Sequence, residues 1–269
     1  MGLFTVSKPV RLLLGLAILG IPGFPAAESA SGPAPNENSA LLSKINGLYY
    51  NYKTLGLHQL KCEVKVSMFE KLLKMLQSKV NEDDKRVKAL KDVRFFVSYD
   101  EKNGYQFNYS NYKPTGDPKT DEGALKILDG SSKIVGGFWK IWQEMVFGPA
   151  INSVKNSVQV KKTGSGYEIT ENGSKNILNQ DLLITEVDAA SPGKPDGAVT
   201  IKPSFLKTNN GLLIQSMAVE VPKYMIETIG IDYQDVQKYK FPSTVNFSID
   251  MLGSMKTDIT LQFLNCQLN

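Results

Sequence analysis

Histidine is almost missing from this chain: its 269 residues include one, His58. Arginine stands only at positions 11, 86 and 94, and cysteine only at 62 and 266. A zinc site needs several ligands at defined spacing; there is no histidine cluster and no C-x-x-C. A Ser-His-Asp or Cys-His nucleophile system would have to use His58, and no G-x-S-x-G accompanies it. Gly164-Ser165-Gly166 lacks the G-x-x-x-x-G-K-[ST] frame of a phosphate loop. Paired carboxylates for general acid/base work would have to come from Asp181, Glu186 and Asp188. Asp181 and Glu186 have opposite strand parity, and Glu186 with Asp188 reads as a solvated strand face. The formal charge of +4 is too mild to argue for nucleic acid. No enzymatic activity, cofactor, metal or nucleic-acid partner is expected.

Long apolar runs are also lacking, with one exception at the start. Lys8 and Arg11 precede an apolar stretch over 12–21, which Pro22 and Pro25 end. Small residues follow at 26–30. This is the pattern of a secretory signal peptide over 1–30, too short to span a bilayer comfortably, with cleavage after Ala27 or Ser29. An uncleaved N-terminal anchor is the alternative. The mature chain is expected in a periplasm or outside the cell, where conditions favour disulfides. Two cysteines allow one intramolecular pairing; two buried free thiols are the other reading.

Residues 31–38 read as a flexible leader. From Ser39, Leu41, Ile45, Leu48, Tyr52 and Leu55 share one helical face, ended by Gly56. Over 58–68 Leu60, Cys62, Val64, Val66 and Met68 alternate with polar residues, as in a strand with one dry face. Residues 69–93 return to helical spacing, interrupted by 81–84, and read as an inserted pair of helices. Phe95, Val97 and Tyr99 begin a hairpin whose turn contains Asn103-Gly104, and Tyr105, Phe107 and Tyr109 carry the return. A short helix is expected over 121–128. A second, over 134–147, carries both tryptophans and has Gly136-Gly137 near its start, each glycine costing on the order of 1 kcal/mol against Ala. Strands follow near 158–160, 167–169, 181–187 and 198–203, with a Pro- and Gly-rich loop at 191–197.

The last 59 residues read as antiparallel strands: 212–221, roughly 230–240, 243–251 and 255–268. Leu213, Met217, Val219 and Val221 share one parity, broken at Gln215. Val245, Phe247, Ile249 and Met251 alternate with Asn246, Ser248 and Asp250. A one-faced sheet needs a cover, or its apolar face holds something. The element order is α+β, not the alternation of a parallel sheet.

An exported chain that opens with an amphipathic helix and an alternating strand, and closes on Lys240-Phe241-Pro242-Ser243 and Leu261-Gln262-Phe263-Leu264-Asn265, resembles the outer-membrane lipoprotein carrier and lipoprotein-sorting superfamily. The likeness is firmest over 211–269 and extends to 39–68. Arg86 and Arg94 lie in contexts unlike that of the carrier's cavity arginine. The resemblance implies an incomplete antiparallel β-barrel, a curved sheet covered by amphipathic helices, as a single half-barrel domain over 39–269. It implies a non-enzymatic carrier for lipid or lipoprotein acyl chains, with a membrane-associated donor or acceptor protein as partner. The cavity would then be lined by Leu60, Val64, Val66, Phe95, Val97, Tyr99, Leu213, Met217, Val219, Val245, Phe247 and Ile249. Phe138, Trp142 and Met145 would form its lid. The alternative is an exported structural or protein-interaction domain whose half-barrel is filled by its own helices. Cys62 and Cys266 both have apolar same-parity neighbours, and a disulfide between them is expected if the first and last strands adjoin.

Overall fold

A computed structural model describes residues 37–80, 84–151, 158–171, 174–190, 198–252 and 255–269. The expected signal peptide, most of the leader, the loop at 191–197 and part of the turn at 252–254 lie outside them. Four helices are described: α1 (Glu37–Asn46), α2 (Ser67–Gln77), α3 (Lys85–Leu90) and α4 (Pro118–Phe147). The twelve strands are β1 (Gln59–Val66), β2 (Arg94–Asp100), β3 (Gly104–Ser110), β4 (Gln159–Thr163), β5 (Gly166–Glu171), β6 (Ser174–Asn179), β7 (Ile184–Ala190), β8 (Ala198–Thr208), β9 (Gly211–Val221), β10 (Met225–Val236), β11 (Tyr239–Met251) and β12 (Met255–Leu268).

All twelve strands form one open, antiparallel sheet in the order β3-β2-β1-β12-β11-β10-β9-β8-β7-β6-β5-β4. The first strand, β1, stands third from one edge; β2 and β3 step out to that edge, and the remaining strands return from the other edge as a meander. The last strand comes home beside the first. The chain's transfer between edges includes α4, whose 30 residues make a rod about 45 Å long at 1.5 Å per residue.

Side-chain alternation builds one dry face across the centre. Buried residues of β1, β2, β9, β10, β11, β12 and α4 belong to a single apolar cluster. A smaller cluster joins Leu42 and Ile45 of α1 to Ile169, Leu178 and Ile184 of β5, β6 and β7. Val187 and Phe205 pack against both.

Several elements differ from their sequence reading. The first helix begins at Glu37, inside the expected leader, and ends at Asn46 rather than near Leu55. Beyond it, Leu48 accepts from Leu212 N and Tyr50 N donates to Leu212 O, at 2.8 and 2.9 Å. Gly211, with φ +114°, permits this close approach, because a Cβ there would stand 2.9 Å from Leu48 O. Tyr52 and Leu55 keep an apolar spacing because both pack into the core, without being helical.

The two helices expected over 121–147 are one. Asp117 caps it through Thr120 N, and Pro118 sits in the first turn, where its missing N–H costs nothing. The weak helix formers in the middle are accommodated locally: Ser131 and Ser132 donate their hydroxyls back to the carbonyls of Ile127 and Leu128 at 3.0 and 2.8 Å.

β6 was not foreseen, and β7 starts at Ile184, because 180–183 make the turn between them; Leu182 there has φ 64°. β8 runs through Pro203, which is tolerated because β7 pairs with β8 only from Ala198 to Ile201. β10 begins five residues earlier than expected, at Met225, and β11 at Tyr239. Pro242 lies inside β11, beside a register shift against β10 and just outside the β12 pairing, which starts at Thr244.

Candidate functional site

The residues expected to share a face do so. Leu60, Val64, Val66, Phe95, Val97, Leu213, Met217, Val219, Val245 and Phe247 are buried in the main cluster, with Tyr99 and Ile249 half-buried against it. The parity break at Gln215 is a bulge: Phe205 pairs with Ile214 and Ser204 with Ser216, so Gln215 is the extra residue. It is exposed, while Leu213 and Ile214 are both buried.

Phe138, Trp139 and Trp142 of α4 meet this face through aromatic rings. Phe138 stands 6.0 Å from Phe247 and 6.1 Å from Phe263, and Trp142 stands 5.6 Å from Phe241, between ring centres. Both tryptophans are 0% exposed, while Met145 is half-buried. Trp142 Nε1 donates to the Tyr233 hydroxyl at 3.2 Å, which in turn donates to Ile214 O at 2.5 Å. Burial raises the Tyr233 hydroxyl well above its ordinary pKa, so it stays a neutral donor.

Tyr52, from the segment after α1, stands among Tyr50, Trp142, Phe147 and Tyr239, with centre distances from 5.0 to 6.1 Å. Its hydroxyl donates to Lys240 O, and the Tyr50 hydroxyl accepts from Lys240 N at 3.0 Å. These two tyrosines tie the segment to the start of β11. The sequence reading placed Tyr52 on a helix and so missed that role.

Trp139 stacks on Tyr105 of β3 at 4.9 Å and 15°. Trp139 Nε1 and the Tyr105 hydroxyl are buried without a hydrogen-bond partner. Unpaired buried groups of this kind cost about 1–3 kcal/mol each. Next to this pair, a cleft of about 540 Å³ is lined by Phe107, Asn108, Tyr109, Ser132 and Lys133. It lies at the β3 edge of the sheet, and of the residues expected to line a cavity it comes near Phe95, whose ring stands 5.7 Å from that of Phe107.

Cys62 and Cys266 are joined as a disulfide, with Cα atoms 4.2 Å apart and 204 positions between them in sequence. β1 and β12 are neighbours, and the register shift at Lys61/Glu63 places Asn265 and Cys266 opposite Cys62. Asn265 has φ 53°, as expected of the extra residue in a bulge. This bulge moves the inward parity from Ile259, Leu261 and Phe263 to Cys266 and Leu268. A disulfide is compatible with an exported protein.

His58, Arg86, Glu186 and Asp188 make ordinary surface pairs. His58 Nδ1 lies 2.9 Å from Glu101 Oε1, both exposed. Asp188 faces Lys175 at 3.4 Å and Glu186 faces Lys202 at 3.6 Å. Arg86 holds Asp84 with two side-chain hydrogen bonds, lowering that carboxyl to about 2. Among the described residues, no group of three or more His, Cys, Asp and Glu could hold a metal ion, and no helix is long and apolar enough to cross a membrane.

One further residue went unnoticed in the sequence. Glu227 of β10 shares parity with Met225, Ile229 and Ile231, all buried in the main cluster. Its register partners are Val219 on β9 and Ile249 on β11. A carboxyl therefore stands on the dry face, half-buried, and desolvation raises it to about 7. Its parity is readable in the sequence, but the expected strand begins near Gly230, three residues beyond Glu227.

Comparison of the chain with known protein families, with curated proteins and with solved structures finds no match.

Proposed function

We propose that this protein is an exported, non-enzymatic binding or carrier protein for lipid or lipoprotein acyl chains. In this reading the open sheet is an incomplete barrel and α4 is the lid over its dry face. The observation that carries it is the make-up of the junction between α4 and the sheet. Phe138, Trp139 and Trp142 meet Phe241, Phe247 and Phe263 through rings, apolar contacts that an acyl chain replaces at the cost of the Trp142 Nε1–Tyr233 hydrogen bond. A chain of about a dozen buried methylenes gains roughly 10 kcal/mol gross, before ordering costs, which competes with the apolar contacts of a lid. Gly136-Gly137 lies beside Phe138 and lowers the local cost of bending α4. The resemblance to the lipoprotein carrier superfamily supports the same reading.

The full burial of Trp139 and Trp142 favours a second reading, an exported structural or protein-interaction domain filled by its own helix. Native mass spectrometry of protein purified from its own secretory compartment separates the two. Retained lipid, or a mass adduct after incubation with acyl chains, supports the carrier. Protein that stays at its bare mass through both supports the filled domain.

A further inference from the structure

An acidic residue on a dry face needs a reason. Glu227 has Val219 and Ile249 as its cross-strand neighbours, and Met225 and Ile229 two residues away on its own strand. Among the described residues no hydrogen bond or ion pair reaches its carboxyl, and burial is the sole influence on its titration. A charge placed so is unfavourable unless a partner neutralises it. Its position is also near one end of the sheet. The β9–β10 turn exposes Tyr224 and the β11–β12 turn exposes Leu252, and Leu252 N donates to Tyr224 O at 3.2 Å. An apolar track with one unpaired anion near its rim is complementary to an apolar chain with one cation at its end.

We propose that this end of the sheet binds the head of an ammonium amphiphile, with Glu227 as the counter-ion and the dry face taking the chain. The inference rests on the acyl-chain reading given above and adds a head-group class to it: amine or quaternary ammonium lipids over neutral or anionic ones. Pairing of opposite charges at a partly desolvated site is worth about tenfold or more in affinity.

The test compares three single-chain probes of twelve carbons, each below its micelle concentration, by titration calorimetry at pH 8: dodecyltrimethylammonium, monolauroylglycerol and laurate. The intact mature chain should bind the ammonium probe about tenfold tighter than the neutral one, and laurate weakest. In Glu227→Gln the ratio of ammonium to neutral affinity should fall towards one, and in Glu227→Asp most of it should return. Equal affinities for the ammonium and neutral probes in the unaltered protein overturn the head-group assignment alone. So does a preference that survives in Glu227→Gln. If none of the three probes binds, the acyl-chain reading falls and the head-group assignment with it. The comparison in the unaltered protein stands even if a variant fails to fold.

Discussion

Replacing Glu227 by Gln should stabilise the fold at alkaline pH and remove a pH dependence. The carboxyl titrates at about 7 in the folded protein against an ordinary value of 4.5, because burial disfavours its charged form. For a group whose folded pKa is raised, the folded state holds the proton more tightly. Its contribution is fully present below about 4.5 and is lost as pH rises through about 7. That difference, fully expressed, would amount to about 3 kcal/mol; solvent access at a half-buried position reduces this to about 1–3 kcal/mol. No charged neighbour complicates the sign. Glu220 on β9, Asp232 on β10, Asp250 on β11 and Lys202 on β8 stand at positions of opposite parity, on the other face, and Lys202 lies 3.6 Å from Glu186. On α4, Asp129 and Lys133 pair with each other at 2.8 Å. Urea unfolding at pH 5 and pH 8 measures the effect, with ligand-free protein. The variant should be more stable than the parent at pH 8 by about 1–3 kcal/mol, with the gap shrinking at pH 5. A variant equal to or weaker than its parent at pH 8 would refute the placement of Glu227 on the dry face.

Other consequences follow from the same architecture. Denatured, unreduced protein should contain no free thiol, and replacing both cysteines by Ala should lower stability by up to about 5 kcal/mol on the chain-entropy view of a loop this long; thiol quantification and denaturant titration check the two parts. Gly211→Ala should destabilise by about 1–3 kcal/mol, because a Cβ at φ +114° meets the backbone of Leu48 and Tyr49 at 2.9 Å, and a thermal melt reads it. Tyr233→Phe should leave the fold intact but strand Trp142 Nε1, at about 1–3 kcal/mol, visible in denaturant unfolding together with a shifted tryptophan emission.

The strands with clean alternation were legible from residues alone. β1, β2, β3, β9 and β12 follow their apolar parity to within a residue or two, and the cysteine pairing followed from that parity plus adjacency of the first and last strands. Elements built on tertiary contacts were not legible. The segment after Asn46 imitates helical spacing at Leu48, Tyr52 and Leu55 because its side chains enter the core from an irregular backbone, held by Leu212 and Lys240. α4 looked broken because Gly130, Ser131 and Ser132 are poor helix formers, and what overrides this is packing: Gly130 and Ser131 are both buried. Glu227 stayed hidden because a carboxylate is ordinarily assigned to the wet face, and only the full extent of β10 fixes its parity. No sequence signal reports how completely Trp139 and Trp142 are enclosed.

Fluorescence quenching by a brominated fatty acid tests the acyl-chain reading most directly. Both indoles are shut off from solvent, so a quencher reaches them only if α4 yields to the chain. Saturable quenching at low micromolar concentration is expected, much of it lost in Trp142→Phe while that variant stays folded. Tryptophan emission unchanged by brominated acyl chains, and equally unchanged by a brominated lipidated peptide, would contradict the carrier function and leave α4 as a permanent filling of the sheet's dry face.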